Sequence, residues 1–169
     1  FAGSLRAALR EDPDVILVGE MRDFETINAA VTAAETGHLV FSTLHTTGAA
    51  ETIDRIIDVY PPHSQGQIRS QLANSVVGII SQTLVPTADG KGRCAALEIL
   101  AATDAIRSMI REGKIFQVPT AIATGKKNGM FTLDQDLARL VNMGKITKEV
   151  ALTRCQDPNE FKRYLSVGF

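Results

Sequence analysis

The sequence has no block of like charge and no apolar run of the roughly 20 residues that a membrane-spanning helix needs. Its 18 Lys and Arg residues nearly balance 19 Asp and Glu residues, which gives a formal net charge of -1. We therefore expect neither nucleic acid nor an anionic membrane surface as the main partner. Hydrophobic residues make up 44% of the 169 residues, which is enough for a sizeable core.

The sequence also contains few cysteines and does not begin with methionine. The two cysteines, Cys94 and Cys155, lie far apart in the sequence and lack the spacing of metal ligands. Two reduced thiols are typical of a cytosolic protein. The sequence begins with Phe1, and its first residues already follow a helical pattern. We therefore expect this chain to be a piece of a longer protein.

Apolar strands alternate with amphipathic helices in the first part of the chain. Val15–Val18 predicts a buried strand, and residues 38–44 predict a second strand that is apolar on both faces. Asp23 is a suitable N-cap for the helix between them, which ends near Gly37. Two apolar strands joined by one helix predict a βαβ unit with parallel pairing and a right-handed crossover.

The second part of the chain is more helical. After further helices, two strands are predicted on either side of a turn at residues 89–92. Beyond about Ala101 the pattern changes to short helices with clear N-caps, among them Thr132 and Asp157. The sequence thus predicts an α/β fold, with a mainly parallel sheet region over residues 1–101 and a helical region over residues 102–169.

Two chemically active side chains follow the two predicted parallel strands. Glu20 lies just past the end of the first strand, and His45 follows the second. Ligands of open parallel sheets sit at the carboxyl ends of the strands, so we expect both side chains to face one crevice. A carboxylate there can hold Mg²⁺ or orient an attacking water, and a histidine can donate a hydrogen bond to a phosphate.

Plainer interpretations of these residues remain open. Glu20 is alternatively a solvated residue that pairs with Arg22 or caps a helix, because an acid after an apolar strand is a weak signal. His38 stands at a strand start and can simply bond the backbone. A metal site made of Glu20, His38 and His45 is disfavoured, because about 20 Å of strand separates the two histidines.

Two longer segments carry a family resemblance. The segment "ALREDPDVILVGEMRD", followed by "AAETGHLVFSTLHTTGAAETIDRIIDVYP", closely resembles the PilT family of hexameric ATPases that power retraction of type IV pili, within the wider secretion ATPases. The first segment is similar to that family's Walker B box, with Glu20 as its acid. The second is similar to its His box, which contains His38 and His45. The resemblance implies a RecA-like P-loop NTPase core.

Two further features place the resemblance in the retraction branch. The segment "AIRSMIREGK", residues 105–114, is similar to the family motif "AIRNLIREGK", with Ser108 and Met109 as the substitutions. The related assembly ATPases typically carry a four-cysteine zinc insertion after the strand that matches "SQTLVP". Here "TADGKGRC" stands in that place, with one cysteine.

The sequence departs from the family in one large respect. No G-x-x-x-x-G-K-[S/T] phosphate loop occurs in it, and the family's Asp box is also missing. Both would lie upstream of Phe1. Without the lysine and backbone groups that hold phosphate, we expect the isolated chain to be inactive as an ATPase. A sheet that lacks its phosphate-loop strand would also expose an edge and an apolar face.

The resemblance implies residue roles in the intact protein. Glu20 would organise Mg²⁺ and water at the γ-phosphate of ATP. His45 would sense that phosphate, and His38 would support the loop or a subunit contact. Thr46 and Thr43 are candidates for the phosphate or water network, with a structural role as the alternative.

Three arginines are nucleotide-contact candidates by the same resemblance. Arg55 is similar to an arginine that reaches nucleotide, and its alternative is a surface salt bridge with Asp54 or Asp58. Arg10 and Arg22 are arginine-finger candidates, and each has the alternative of a plain surface or interface charge. On the "AIRSMIREGK" helix, the basic residues Arg107, Arg111 and Lys114 are expected on the polar side, where they are solvated or contact a partner.

The implied partners are identical subunits of a homo-hexamer and the pilus platform protein of the inner membrane. The implied location is the cytoplasm at the inner-membrane face, reached only through partners, and no nucleic acid is expected. Two other functions stay open from the sequence: a nucleotide-free interaction module whose helical region docks a partner, and a metal-dependent hydrolase.

Overall fold

The computed structural model describes residues 2–167, without the side chains of residues 2, 5 and 6. It confirms the predicted α/β fold with a helical C-terminal region. All described helices fall short of the length and hydrophobicity that a bilayer span requires. The helices are α1 (Ala2–Ala8), α2 (Phe24–Glu35), α3 (Ala49–Asp58), α4 (Gln65–Ser75), α5 (Asp104–Glu112), α6 (Val118–Thr124), α7 (Leu133–Asn142), α8 (Lys148–Leu152) and α9 (Pro158–Val167).

The first sheet is the predicted parallel pair. Strands β1 (Val15–Val18) and β2 (Leu39–Ser42) pair in parallel, with α2 as the connection. Asp23 caps α2 as expected, since its carboxylate accepts a hydrogen bond from the N–H of Thr26 at 2.9 Å. The strand β2 is shorter than predicted, since it begins at Leu39 and ends at Ser42. His38 lies between α2 and β2, and its N–H donates to the carbonyl of Ala33 of α2 at 3.2 Å.

The two faces of this sheet differ in burial. The side chains of Ile16 and Val18 are buried and pack against alanines of α2. The opposite face is apolar but exposed, and within the described chain nothing covers it; its members are Val15, Leu17, Leu39 and Phe41. The strand β1, predicted as buried, is therefore buried on one face only, and the expected exposed apolar face is present.

The chain divides into two compact units whose segments interleave along the sequence. The first comprises the residues up to Thr46, Ala50–Val77 and Ala102–Phe116, and contains the parallel sheet. The second comprises Thr47–Ala49, Gly78–Ala101 and the residues from Gln117 onward. The functional division at residue 101 made from the sequence stays a prediction.

In the first unit, the helix of the "AIRSMIREGK" segment is α5. Ile106 and Ile110 are fully buried, as the helical spacing indicates. The side chain of Arg107 was expected to be solvated or to contact a partner. Instead, its guanidinium donates to the carbonyls of Ala73 and Asn74 at the end of α4. Cationic side chains stabilise the unpaired carbonyls of a helix C-terminus, so Arg107 is a cap for the neighbouring helix.

The second unit is built on an antiparallel hairpin. Strands β3 (Gly78–Pro86) and β4 (Arg93–Ala101) pair along their whole length, and α7 and α9 pack on them. The largest fully buried side chain of the described chain is Phe161 of α9.

Two buried carboxylates of α7 accept hydrogen bonds from the surrounding backbone. Asp134 accepts from the N–H groups of residues 156 and 157 at 2.7 and 2.8 Å, and Asp136 accepts from the N–H of Leu97 at 2.8 Å.

Candidate functional site

The parallel register of the first sheet brings two strand ends together. Val18 lies opposite Ser42, so the residues that follow each strand are neighbours. The N–H of Met21 donates to the carbonyl of Thr43 at 3.0 Å, and the hydroxyl of Thr43 donates to the carbonyl of Gly19 at 2.6 Å. These cross-connections fix the backbone on both sides of Glu20. Thr43 therefore has a structural contact here, which was one of its two expected roles.

Glu20 lies between two basic side chains. Nε2 of His45 is 2.7 Å from Oε1 of Glu20, and Nε of Arg22 donates to the same oxygen. Within the described chain, no hydrogen bond reaches the second carboxylate oxygen, Oε2. The structure thus brings Glu20 and His45 together at one edge of the sheet, and it also places Arg22 there, as the plainer interpretation of Glu20 proposed.

The electrostatic environment keeps the carboxylate ionised. The hydrogen bond from Arg22 is the largest cause and lowers the pKa of Glu20 below its ordinary value. Burial opposes this shift, and the contact with His45 adds a weaker effect in the same direction as Arg22. The Glu20 side chain is 21% exposed, whereas that of His45 is 80% exposed. A carboxylate with an open oxygen can accept a hydrogen bond from water, and the exposed imidazole has room to turn toward an added ligand.

The contribution of Arg22 can be measured directly. We expect Arg22→Gln to raise the pKa of the Glu20 carboxyl toward its ordinary value, because the largest cause of its depression is removed. The measurement is a pH titration of the Glu20 carboxyl carbon by NMR. The matched control is Arg111→Gln, which removes an exposed arginine from α5. An unchanged Glu20 midpoint in Arg22→Gln would contradict the assigned cause.

The other predicted site residues lie in different surroundings. The hydroxyl of Thr46 is 2.7 Å from that of Thr52, a contact that fixes the start of the loop after His45. Arg10 and Arg55 have exposed side chains, Arg55 in the last turn of α3. His38 stands at the opposite end of β2 from His45. Its Nδ1 is 2.9 Å from the carbonyl of Ala33 and so contacts the end of α2. The roles of all these residues in nucleotide binding stay predictions.

The fit of this site to a metal ion is partial. Among the described residues, no group of three or more His, Cys, Asp or Glu side chains could hold an ion. Glu20 alone could contribute one oxygen to Mg²⁺, which prefers carboxylate, phosphate and water ligands. In this chain Glu20 therefore fits Mg²⁺ that arrives bound to the phosphates of a nucleotide.

A buried glutamate of the second unit was missed from the sequence. Glu98 is 6% exposed, and its Oε1 accepts from the N–H of Ala49 at 2.8 Å. Burial raises the pKa of Glu98, and hydrogen bonds from the N–H groups of Ala49 and Leu133 oppose that shift. The available signal was its place in "AALEIL", because an acid at an inward position of an apolar strand requires partners.

Known proteins similar to this chain carry names from pilus and secretion systems. A twitching motility protein of Neisseria gonorrhoeae is 57% identical over 157 residues, which are 93% of this chain and 42% of that protein. The type IV pilus retractation ATPase PilT of Pseudomonas aeruginosa is 55% identical over 161 residues, which are 95% of this chain and 46% of that protein. The type IV pilus ATPase PilU of the same organism is 39% identical. This chain thus spans less than half the length of these relatives.

Solved structures of a pilus retraction motor and of a related ATPase are also similar to this chain. A crystal structure of the pilus retraction motor PilT with bound ADP has a TM-score of 0.87 and 50% identity, and the match covers 96% of this chain and 45% of that one. The Legionella pneumophila ATPase DotB has a TM-score of 0.79 and 34% identity, over 90% of this chain and 41% of that one. The model of the type II/IV secretion system protein family matches residues 1–145. The chain therefore belongs to the type II/IV secretion system protein family.

Proposed function

We propose that this chain is the C-terminal part of a hexameric ATPase that hydrolyses ATP to power type IV pilus retraction. The observation that carries the proposal is the pairing of Glu20 with His45 at the carboxyl ends of two neighbouring parallel strands. This is the edge at which α/β sheets bind ligands. The names of the most similar relatives, a retractation ATPase and a twitching motility protein, support the same activity.

The chemistry assigns separate tasks to the two residues. Water attacks the γ-phosphorus of Mg²⁺-bound ATP, and the bond to the ADP oxygen breaks to give ADP and inorganic phosphate. Glu20 orients that water through its open Oε2 or contacts the Mg²⁺ of the substrate. His45 turns from Glu20 to donate a hydrogen bond to the γ-phosphate. Arg22 keeps Glu20 ionised, and its exposed guanidinium makes it an arginine-finger candidate toward a neighbouring subunit.

The remaining expectations belong to the same proposal. Identical subunits would form a homo-hexamer with ATP between them, and Arg10, Arg55 and Thr46 would contribute to nucleotide contacts there. The motor would work in the cytoplasm at the inner-membrane face and would act on the pilus platform protein. Residues 1–101 would supply part of the ATPase core, and residues 102–169 would carry the "AIRSMIREGK" helix toward a mechanical or partner-contact role.

Nucleotide titration tests this proposal. A fluorescent ATP analogue with Mg²⁺ is titrated into this chain and into a form extended upstream through a phosphate loop. We expect no saturable signal from the short chain and saturation from the extended one, because the phosphate loop supplies the lysine and N–H groups that bind phosphate. Tight, Mg²⁺-dependent binding by the short chain would contradict this account. Absence of binding by the extended form would contradict the proposed function itself.

A further inference from the structure

Thr43 is bonded to the peptide groups on both sides of Glu20. Its hydroxyl donates to the carbonyl of Gly19 at 2.6 Å, and its own carbonyl accepts from the N–H of Met21 at 3.0 Å. The carbonyl of Gly19 belongs to the peptide group before Glu20, and the N–H of Met21 belongs to the peptide group after it. All of these residues lie in the first unit. A single residue after β2 therefore holds both peptide groups that flank Glu20.

Two held peptide groups restrict the direction of the side chain between them. Each peptide group is planar, so φ and ψ of Glu20 are the only soft backbone angles between the two bonded groups. With both groups bonded to Thr43, these angles and the direction of the Cα–Cβ bond of Glu20 are restricted together. From this backbone the carboxylate reaches Nε2 of His45 at 2.7 Å.

The two bonds depend differently on the residue type at position 43. The bond from Met21 uses the backbone carbonyl of Thr43, which every residue carries, and it continues the parallel pairing just past Val18 and Ser42. The bond to Gly19 requires a short side chain with a hydroxyl. Thr43 is exposed, so water is available to its hydroxyl as another partner and burial does not force the contact. The hydroxyl is therefore the sequence-specific part of this connection.

We infer that Thr43 is a positioning residue for Glu20: its hydroxyl bond to Gly19 fixes the backbone that directs the Glu20 carboxylate. This inference rests on the proposed function, in which Glu20 orients the attacking water or contacts Mg²⁺. In this role Thr43 touches no reacting atom. Loss of the hydroxyl should lower the rate of hydrolysis rather than the affinity for nucleotide, because a misdirected carboxylate loses its alignment in the transition state.

Two substitutions separate the hydroxyl of Thr43 from the shape of the side chain. Thr43→Val keeps the branched shape and its preference for extended backbone but removes the hydroxyl. Thr43→Ser keeps the hydroxyl and removes the methyl group. The matched control is Thr32→Val in α2, the same change at another exposed threonine. The hydroxyl of Thr32 also donates to a backbone carbonyl, that of Asn28 at 2.7 Å.

The first measurement is steady-state Mg²⁺-ATP hydrolysis by the full-length protein. We expect Thr43→Val to lower kcat about tenfold and to change KM by less than about twofold. Thr43→Ser and Thr32→Val should each keep kcat within about twofold of the original protein. In a Glu20→Gln background, Thr43→Val should lower kcat by less than about twofold further, because the carboxylate that it positions is already absent.

The second measurement, hydrogen exchange of the Met21 amide, does not depend on activity. This amide is bonded to the carbonyl of Thr43. It should exchange about tenfold faster in Thr43→Val, because the two segments are then connected by one of these bonds instead of two, and Thr43→Ser should restore slow exchange. Unchanged exchange in Thr43→Val would contradict the inference. If Thr43→Val fails to fold, Thr43→Ala replaces it in both measurements, with Thr43→Ser as its reference.

The kinetic outcomes that would overturn the inference are equal kcat losses in Thr43→Val and Thr32→Val, or a full tenfold effect of Thr43→Val in the Glu20→Gln background. A loss of nucleotide affinity as large as the loss of kcat would also overturn it, since the hydroxyl would then bind nucleotide directly. An original protein without ATPase activity, or Glu20→Gln with full activity, would defeat the proposed function as well. Normal Thr43→Val beside an impaired Glu20→Gln would defeat this inference alone.

Discussion

Glu20→Gln in the full-length protein is expected to lower kcat for ATP hydrolysis by about 100-fold or more. The amide keeps the size of the side chain but loses the negative charge that orients water or contacts Mg²⁺. It also removes the ion pairs that hold Arg22 and His45 at the strand ends. The measurement is phosphate release under saturating Mg²⁺-ATP, together with the affinity for a fluorescent ATP analogue. Affinity should change by less than about threefold, because the phosphate loop supplies most of the binding.

The control for this variant is Glu25→Gln, the same chemical change at an exposed position in the first turn of α2. It should leave kcat unchanged within about twofold, since surface substitutions of this kind have small effects. A Glu20→Gln enzyme with full activity would remove Glu20 from the proposed chemistry. Loss of affinity equal to the loss of kcat would instead indicate that Glu20 acts mainly in binding the Mg²⁺-nucleotide complex.

The parts of this fold that could be predicted are those that local sequence determines. Val15–Val18 forms a strand with the predicted bounds, because Pro13 ends the preceding helical pattern and the apolar run starts two residues later. The N-caps at Asp23 and Thr132 were also predictable, and Thr132 forms a full capping box with Gln135. The position of Glu20 beside His45 followed from parallel pairing, since both residues lie shortly after strands that end at the same edge.

The parts that could not be predicted depend on contacts between distant segments. The ring and N–H of His38 are bound at the end of α2, and this contact shortens β2 at its start. The sequence pattern favours a solvated Arg107 on the polar side of an amphipathic helix. Its hydrogen bond to the end of α4 becomes visible only in the folded structure. The partners of Glu98 and Asp134 could not be identified from the sequence, because they are backbone N–H groups of residues far along the chain. No local pattern reports such partners.

The C-terminal helix α9 contributes to the hydrophobic core of the second unit. The family model ends at residue 145. The structure nevertheless buries Phe161 completely among side chains of the hairpin, α7 and α8, including Val85, Leu137 and Ala151. Residues beyond the family match are therefore part of the hydrophobic core of the second unit, and a substitution there should affect the stability of the whole unit.

We expect Phe161→Ala to lower the free energy of unfolding of the second unit by about 3–5 kcal/mol, because the change removes buried apolar area and leaves a cavity. The measurement is native-state hydrogen exchange of the slowest amides of α7, which contacts α9 directly. The control is Phe116→Ala, the same change at a side chain that is 78% exposed, with an expected effect within about 0.5 kcal/mol. If Phe161→Ala left α7 exchange as slow as in the original protein, α9 would be an appended helix rather than part of the core. A loss of the expected size would mean that truncation before α9 exposes the core of the second unit, so that forms of the protein ending near the family boundary should fold poorly.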